Sequence, residues 1–332
     1  MEMFKRTIRT DMADESRVVG AGSQVRAADG FGEGIRVERD GDEEVAITRV
    51  HVDTPEGEQK VGKPIGSYIT MDIPAISQKS RDLYEKSSRM MARELESLIH
   101  LDMKDTVLIV GLGNWNVTAD ALGPKVAQHV LVTRHIYEYL PKEVDSTERP
   151  VCAVSPGVLG ITGIETSHII KGIVDNVKPA LVIAVDALAS RSMKRVNSSV
   201  QFADTGIAPG SGVGNKRTAL TKETLGVPVI AIGVPTVVDA ATMASDVLDL
   251  VMDSMMQQAG PESDFYKMLS QVDRDEKYKM IIELLEPNSG NLIVTPKDSD
   301  DIVEYLSKLI ANGINMALHK NIGPQDVDRF IR

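Results

Sequence analysis

The stretch TVLIVGLGNWNVTADALGP, running from Thr106 to Pro124, decides how the rest of the chain is read. Its first five residues, Thr106 to Val110, form an almost wholly apolar run that is too short for a helix and stops at Gly111, which is the pattern of a buried strand. The glycine-rich loop that follows leads into a helix, expected over Lys125 to Tyr139 behind Pro124. Similar apolar runs recur at Val151 to Val154, Ala180 to Val185 and Val227 to Ile232, each approaching a loop of Gly, Ser, Thr or Pro. Near-continuous apolar strands separated by helices imply an α/β fold, with a mostly parallel central sheet covered by helices on both faces. Functional groups in such sheets gather beyond the C-terminal ends of the strands.

Outward from this core the pattern changes. Residues 1–44 are polar and hold no sustained period, so they read as a loose leader. Val45 to Val52 alternates apolar and polar, and Tyr68 to Ile73 repeats the signal across a Gly/Pro turn region, which suggests a β-hairpin or flap. Ser80 to Leu101 places Leu83, Met90, Met91, Leu95 and Leu98 on one helical stripe. Downstream, helices are expected over Val237 to Met256, Glu262 to Gln271, Asp275 to Leu285 and Ser299 to Leu318. Met243, Met252, Met255 and Met256 fit a core or subunit contact better than a functional methionine cluster.

Composition narrows the class. The 332 residues are 42% hydrophobic and 26% charged, with a formal charge of −11, as expected of a soluble globular protein with ample core. That acidity argues against direct nucleic-acid binding or an anionic membrane, both of which need dense Lys/Arg patches. Cys152 is the only cysteine, so an intramolecular disulfide and a thiolate zinc cluster are both excluded, and a reducing compartment fits. The N-terminus has no apolar signal region, and no run reaches the roughly 18 residues of a spanning helix. A cytoplasmic protein is expected.

The loop of residues 111–124 fails as a dinucleotide site, because Asn116 stands where the third glycine of G-x-G-x-x-G belongs. What it does supply is Asp120, either as a helix-capping acid or as a functional carboxylate. A second acid, Asp186 in IAVDALAS, is expected to end a strand at the same edge. Two such carboxylates can divide general base and general acid between them, or hold a divalent metal whose water is the nucleophile. The bland alternative for Asp186 is a turn or an ion pair with Arg191.

Other signals are weaker. Asp204-Thr-Gly206 matches the triplet of β-barrel aspartic proteases but occurs once, in an α/β chain. The run Gly210 to Arg217 lacks the Walker spacing and reads as a flexible loop. The six histidines show no ligand pair on a common face, and Cys152, within an apolar strand, reads as an inert buried thiol.

GLGNWNVTADALGP (111–124), SPGVLGITGIET (155–166), VDALASR (185–191) and DTGIAPGSGVGNKR (204–217) together resemble the germination protease family of spore-forming bacteria. The resemblance runs from about Arg9 to about Met256, and a more distant one links the strand, loop and acid to the hydrogenase maturation endopeptidases. It implies an endopeptidase of the spore-core cytoplasm, atypical aspartic or metallo in type. The implied substrates are small acid-soluble, DNA-protecting spore proteins, cut after Glu early in germination. It also implies a homotetramer made as a zymogen, and it places the two essential aspartates on Asp120 and Asp186. No cofactor is demanded by the pattern. A divalent metal on Asp120 and Asp186 is the alternative, although no histidine lies between His168 and His319 to supply a matching third ligand.

On this reading residues 1–15 are a pro-segment and 16–332 a single peptidase domain, with a flap region (16–75), a core (76–257) and a helical extension (258–332). The family's substrates carry T-E-x-A-S-E, and this chain contains Thr10-Asp-Met-Ala-Asp-Glu-Ser16, so self-processing is expected between Glu15 and Ser16. Selecting Glu before the cut requires a cation; Arg191, Lys194, Arg195, Lys216 and Arg217 are the candidates. The competing readings are a metal-dependent maturation-type peptidase with another protein substrate, a non-catalytic small-molecule binding module, and a dehydrogenase.

Overall fold

The computed structural model describes residues 34–142, 146–210, 217–289 and 292–323. Nine strands form one sheet: β1 (Ile35–Gly41), β2 (Ala46–Val52), β3 (Gly66–Asp72), β4 (Val107–Gly111), β5 (Val151–Val154), β6 (Leu181–Ser190), β7 (Ser199–Ala203), β8 (Val229–Asp239) and β9 (Ile293–Val294). Their order is β1-β2-β3-β7-β8-β6-β4-β5, with the short β9 also paired to β8. The helices, in chain order, are α1 (Pro55–Val61), α2 (Arg81–Leu98), α3 (Leu122–His129), α4 (Arg134–Tyr139), α5 (Leu159–Thr162), α6 (Thr166–Val177), α7 (Lys222–Leu225), α8 (Ala240–Ala259), α9 (Asp264–Ser270), α10 (Arg274–Ser289) and α11 (Ser299–Leu318). None of the described helices is long and apolar enough to cross a membrane.

The expectation of a mostly parallel sheet is corrected. Only β5, β4, β6 and β8 run parallel, whereas β1, β2, β3, β7 and β9 pair antiparallel. The hairpin strands do not form a separate flap; β3 pairs with β7 and carries the sheet onward. This mixed sheet gives the likeness to the hydrogenase maturation endopeptidases no support. β1 falls within the stretch read as leader, because IRVERDG shows little apolar pattern on a mostly exposed edge.

The all-apolar strands divide their side chains between two cores. Val107 and Ile109 of β4, with Ile183 and Val185 of β6, face α2, α3 and α11. Leu108, Val110, Val182 and Ala184 face Ile170 and Val174 of α6 and Leu225 of α7. The C-terminal helix is therefore not an appendage. Leu306, Leu309, Ile310 and Ile314 of α11 are almost fully buried, each worth roughly 1.5–3 kcal/mol of apolar transfer.

Three other boundaries shift. The helix expected over Lys125 to Tyr139 breaks into α3 and α4, because the Thr133 and Leu131 amides bond elsewhere, to the Val151 carbonyl (3.0 Å) and to Asn315 Oδ1 (2.8 Å). β8 continues to Asp239, whose side chain caps α8 by accepting from the Ala241 amide at 2.7 Å. β6 does not end on Asp186 but pairs with β8 as far as Ser190, through an irregularity at Leu188/Ala189.

Candidate active site

Asp120 sits at the end of a 3-10 turn, Thr118–Asp120, in the loop between β4 and α3. That loop is folded on itself: the Asn114 amide donates to the Asp120 carbonyl (2.9 Å), and the Asp120 amide donates to the Val117 carbonyl (2.8 Å). Its glycines answer to packing. At Gly113, with φ of +118°, a Cβ would lie 2.0 Å from the Asp120 carbonyl oxygen. At Gly123 a Cβ would meet the carbonyls of Leu112 and Val185 at 2.2 and 2.4 Å, so α3 can press its first turn onto the end of β4 and the middle of β6 only through glycine. The glycine pattern that failed for a dinucleotide thus serves close backbone approach.

The capping alternative for Asp120 does not hold, since the N-cap position of α3 is Ala121 and no side chain caps it. Instead the carboxyl faces a cavity, and burial pushes it up to about 6, with the Asn114 amide partly opposing that shift. Asp186 is in the sheet itself, only 5% exposed, and its Oδ1 accepts from the Ala187 amide at 2.9 Å. Because Val185 is level with Gly111, Asp186 lies just beyond the end of β4. Strand β6 and the β4–α3 loop thus bring both acids to one cavity of about 400 Å³.

The chain's far end steadies this loop. Thr236 of β8, buried in the cavity wall, donates from Oγ1 to the Ala119 carbonyl (2.5 Å) and accepts from Thr295 Oγ1 at its own carbonyl (2.9 Å). Thr118 Oγ1 donates to Asp300 Oδ1 of α11 (2.5 Å), and Lys125 pairs with Glu304 of the same helix (2.6 Å). Thr236 and Thr295 carried no sequence signal, since their role arises only when β8 and β9 are brought beside the loop.

The expected cations disperse. Arg217 lines the cavity and pairs there with Glu165 at 3.7 Å. Arg191 lies near Asp246, whose carboxyl burial pushes up while Arg191 weakly opposes the shift. Lys194 is exposed on a 3-10 turn, and Arg195 pairs with Asp72 at 3.6 Å. None of these last three lines the cavity. Lys216, Glu15 and Ser16 lie outside the described residues. A second cavity of about 210 Å³, which shares Asp186, Ala187 and Leu188 with the first, is lined also by Lys63, a cation that sequence reasoning passed over.

Asp204 of the Asp-Thr-Gly triplet is a strand tie, its Oδ1 accepting from the Ser67 amide at 2.8 Å. Cys152 is half-buried, its thiol pushed up by burial, as an inert thiol would be. A metal would find Asp120 and Asp186, but no group of three or more His, Cys, Asp or Glu able to hold an ion occurs among the described residues. That donor set does not fit a protein-held ion, for which three protein ligands are usual.

The sequence comparisons bear on the same residues. A family model described as germination protease matches residues 12–264 and 255–331. A germination protease of Clostridium perfringens is 49% identical over 324 residues, covering 98% of this chain and 99% of that one. One from Clostridium tetani is 47% identical over 98% and 99%, and one from Bacillus mycoides 42% over 99% and 98%. With both cavity-lining acids inside the matched segments, the chain belongs to the germination protease family of peptidases.

Proposed function

We propose that the chain is the endopeptidase that degrades small acid-soluble, DNA-protecting spore proteins during germination, cutting after Glu, with Asp120 and Asp186 as its catalytic pair. The observation that carries this reading is that both carboxylates line one cavity, one from a loop and one from the sheet. Asp120, at about 6, is ionised at neutral pH yet more basic than an ordinary carboxylate. It takes a proton from a water held between it and Asp186, and the resulting hydroxide adds to the scissile carbonyl. The C–N bond then breaks as Asp120 returns that proton to the departing amine. Neither acid needs a metal for these steps.

The wider proposal keeps the zymogen, with self-processing at Glu15–Ser16 releasing residues 1–15, the homotetramer, and a place in the spore-core cytoplasm. The deciding experiment is digestion of an acid-soluble spore protein by the chain lacking residues 1–15, with and without a strong chelator, beside Asp120→Asn and Asp186→Asn. Cutting after Glu that survives chelation and falls by roughly 10²–10⁴ in each variant is expected. Reversible loss on chelation would put the reaction on a metal-bound water, and no cutting at all would return the protein to a binding role.

A further inference from the structure

Asp120 is carried by a loop and Asp186 by a strand, so their separation depends on how that loop is fastened to the sheet. Around Asp120 the turn is closed on itself: its amide donates to the Val117 carbonyl (2.8 Å), its carbonyl accepts from the Asn114 amide (2.9 Å), and the Ala121 amide donates to the Thr118 carbonyl (3.2 Å). Those bonds shape the turn without locating it against the strands. From the sheet, Thr236 Oγ1 of β8 donates to the Ala119 carbonyl at 2.5 Å, across 117 residues of chain. The Ala119 carbonyl and the Asp120 amide belong to one peptide group. That plane is therefore held by the loop at its N–H and by the sheet at its C=O.

Thr236 has a special place in β8. Pro235 is level with Leu188 of β6 and Val237 with Ala189, so the pairing steps over Thr236. An extra residue of this kind bends a strand, and beside active sites it re-aims a side chain. The side chain here is 1% exposed, in the wall of the cavity that both acids line. Its carbonyl accepts from Thr295 Oγ1 (2.9 Å), and that hydroxyl also meets Ser299 Oγ at the start of α11 (2.7 Å). Gly233, three residues earlier on β8, is level with Asp186. A short run of strand and one hydrogen bond thus connect the backbone of one acid to that of the other.

We propose that Thr236 is a positioning residue for peptide-bond cleavage: the residue skipped in the β8–β6 register turns its hydroxyl onto the Asp120 peptide and sets that carboxylate against Asp186. The inference rests on the peptidase reading above. Thr236 does not take part in the chemistry; it acts through Asp120. A water shared by two carboxylates demands that both stay within hydrogen-bond reach of it, and a misplacement of about 1 Å can lower a rate about a hundredfold. A bond at this point should therefore govern turnover, whereas a buried threonine that serves packing alone would govern only stability.

The test measures kcat and KM on a peptide with Glu before the cut, using the chain without residues 1–15 and its Thr236→Val, Thr236→Ser, Thr295→Val and Thr133→Val variants. Thr236→Val keeps the shape and removes the donor, so kcat is expected to fall roughly ten- to a hundredfold while KM stays within about threefold. Thr236→Ser returns the hydroxyl and is expected to recover most of the rate. Thr133 is the matched control: it is equally buried and donates from Oγ1 to the Arg149 carbonyl, but it does not line the cavity. Thr133→Val is expected to unfold at a lower temperature with kcat unchanged. Thr295→Val, which frees the Thr236 carbonyl, is expected to lower kcat by a smaller factor, and it decides the question if Thr236→Val does not fold. The assignment would be overturned by an unchanged kcat in the deciding variant, by a loss that falls on KM, by a serine variant no faster than the valine one, or by an equal loss in Thr133→Val. An unaltered chain that leaves the peptide uncut would instead overturn the reading on which it rests.

Discussion

The two halves of the sheet meet at β8, and they are built by different rules. On one side β8, β6, β4 and β5 run parallel, with helices on both faces and apolar residues at nearly every position. On the other, β7, β3, β2 and β1 run antiparallel and grow more exposed toward the edge. The parallel half holds both acids, since Asp186 within β6 lies just beyond the end of β4, where the loop carrying Asp120 begins. The antiparallel half supplies Tyr68, Gln201 and Ala203 to the smaller cavity that Asp186 also lines.

The largest effect expected of this division lies in the pH profile. With Asp120 as base, kcat/KM should drop about tenfold per pH unit below about 6 and level off above it. Stability should run the other way. The folded chain holds the Asp120 proton more tightly than the unfolded chain, so its stability falls as pH rises from 3.8 to about 6. Asp120→Asn should remove that part of the dependence in urea titrations, and an unchanged curve would detach the carboxyl from its burial. The buried His319, pushed down to about 4 by burial and then by Arg149, contributes with opposite sign: stability present above 6.5 is lost as pH falls toward 4.

Next in size is Gly123→Ala, which drives a methyl group into two backbone carbonyls. A loss of about 3 kcal/mol and a displaced Asp120 loop are expected, read as the urea midpoint and as kcat. If stability falls but kcat holds, the parallel half would not be what positions that acid. In the antiparallel half, Arg49 of β2 grips the buried Glu94 of α2 through two bonds of 2.5 and 2.7 Å. Arg49→Met strands that carboxylate, at a cost of about 3 kcal/mol, with little change in kcat. Smallest is Arg36→Ala at the outer edge, where the pair with Asp53 is solvent-exposed; no measurable shift in Tm is expected.

The same division explains what could be read from the chain. β5 and α11 fall where their residues foretell, because a wholly apolar run and a 20-residue amphipathic pattern each allow one solution. Asp186 stood out as an acid directly after such a run, and Asp120 as an acid in the loop between such a run and the following helix. β1 was lost in the leader because an exposed edge strand carries charges. The extension of β6 past Asp186 was missed because its partner strand, not its own sequence, decides how far pairing continues. Lys63, Glu165 and Thr236 gave no signal, since each reaches its cavity only through tertiary contact. The parallel direction was over-extended because hairpin strands and core strands were not foreseen to share one sheet.

The bond from Thr118 to Asp300 spans 182 residues. A chain emerging from the ribosome therefore displays the Asp120 loop long before the helix that steadies it exists. The apolar surface of β4 and β6 that α11 covers stays open until that helix is made. A product lacking α11 is left without that brace on its carboxylate loop.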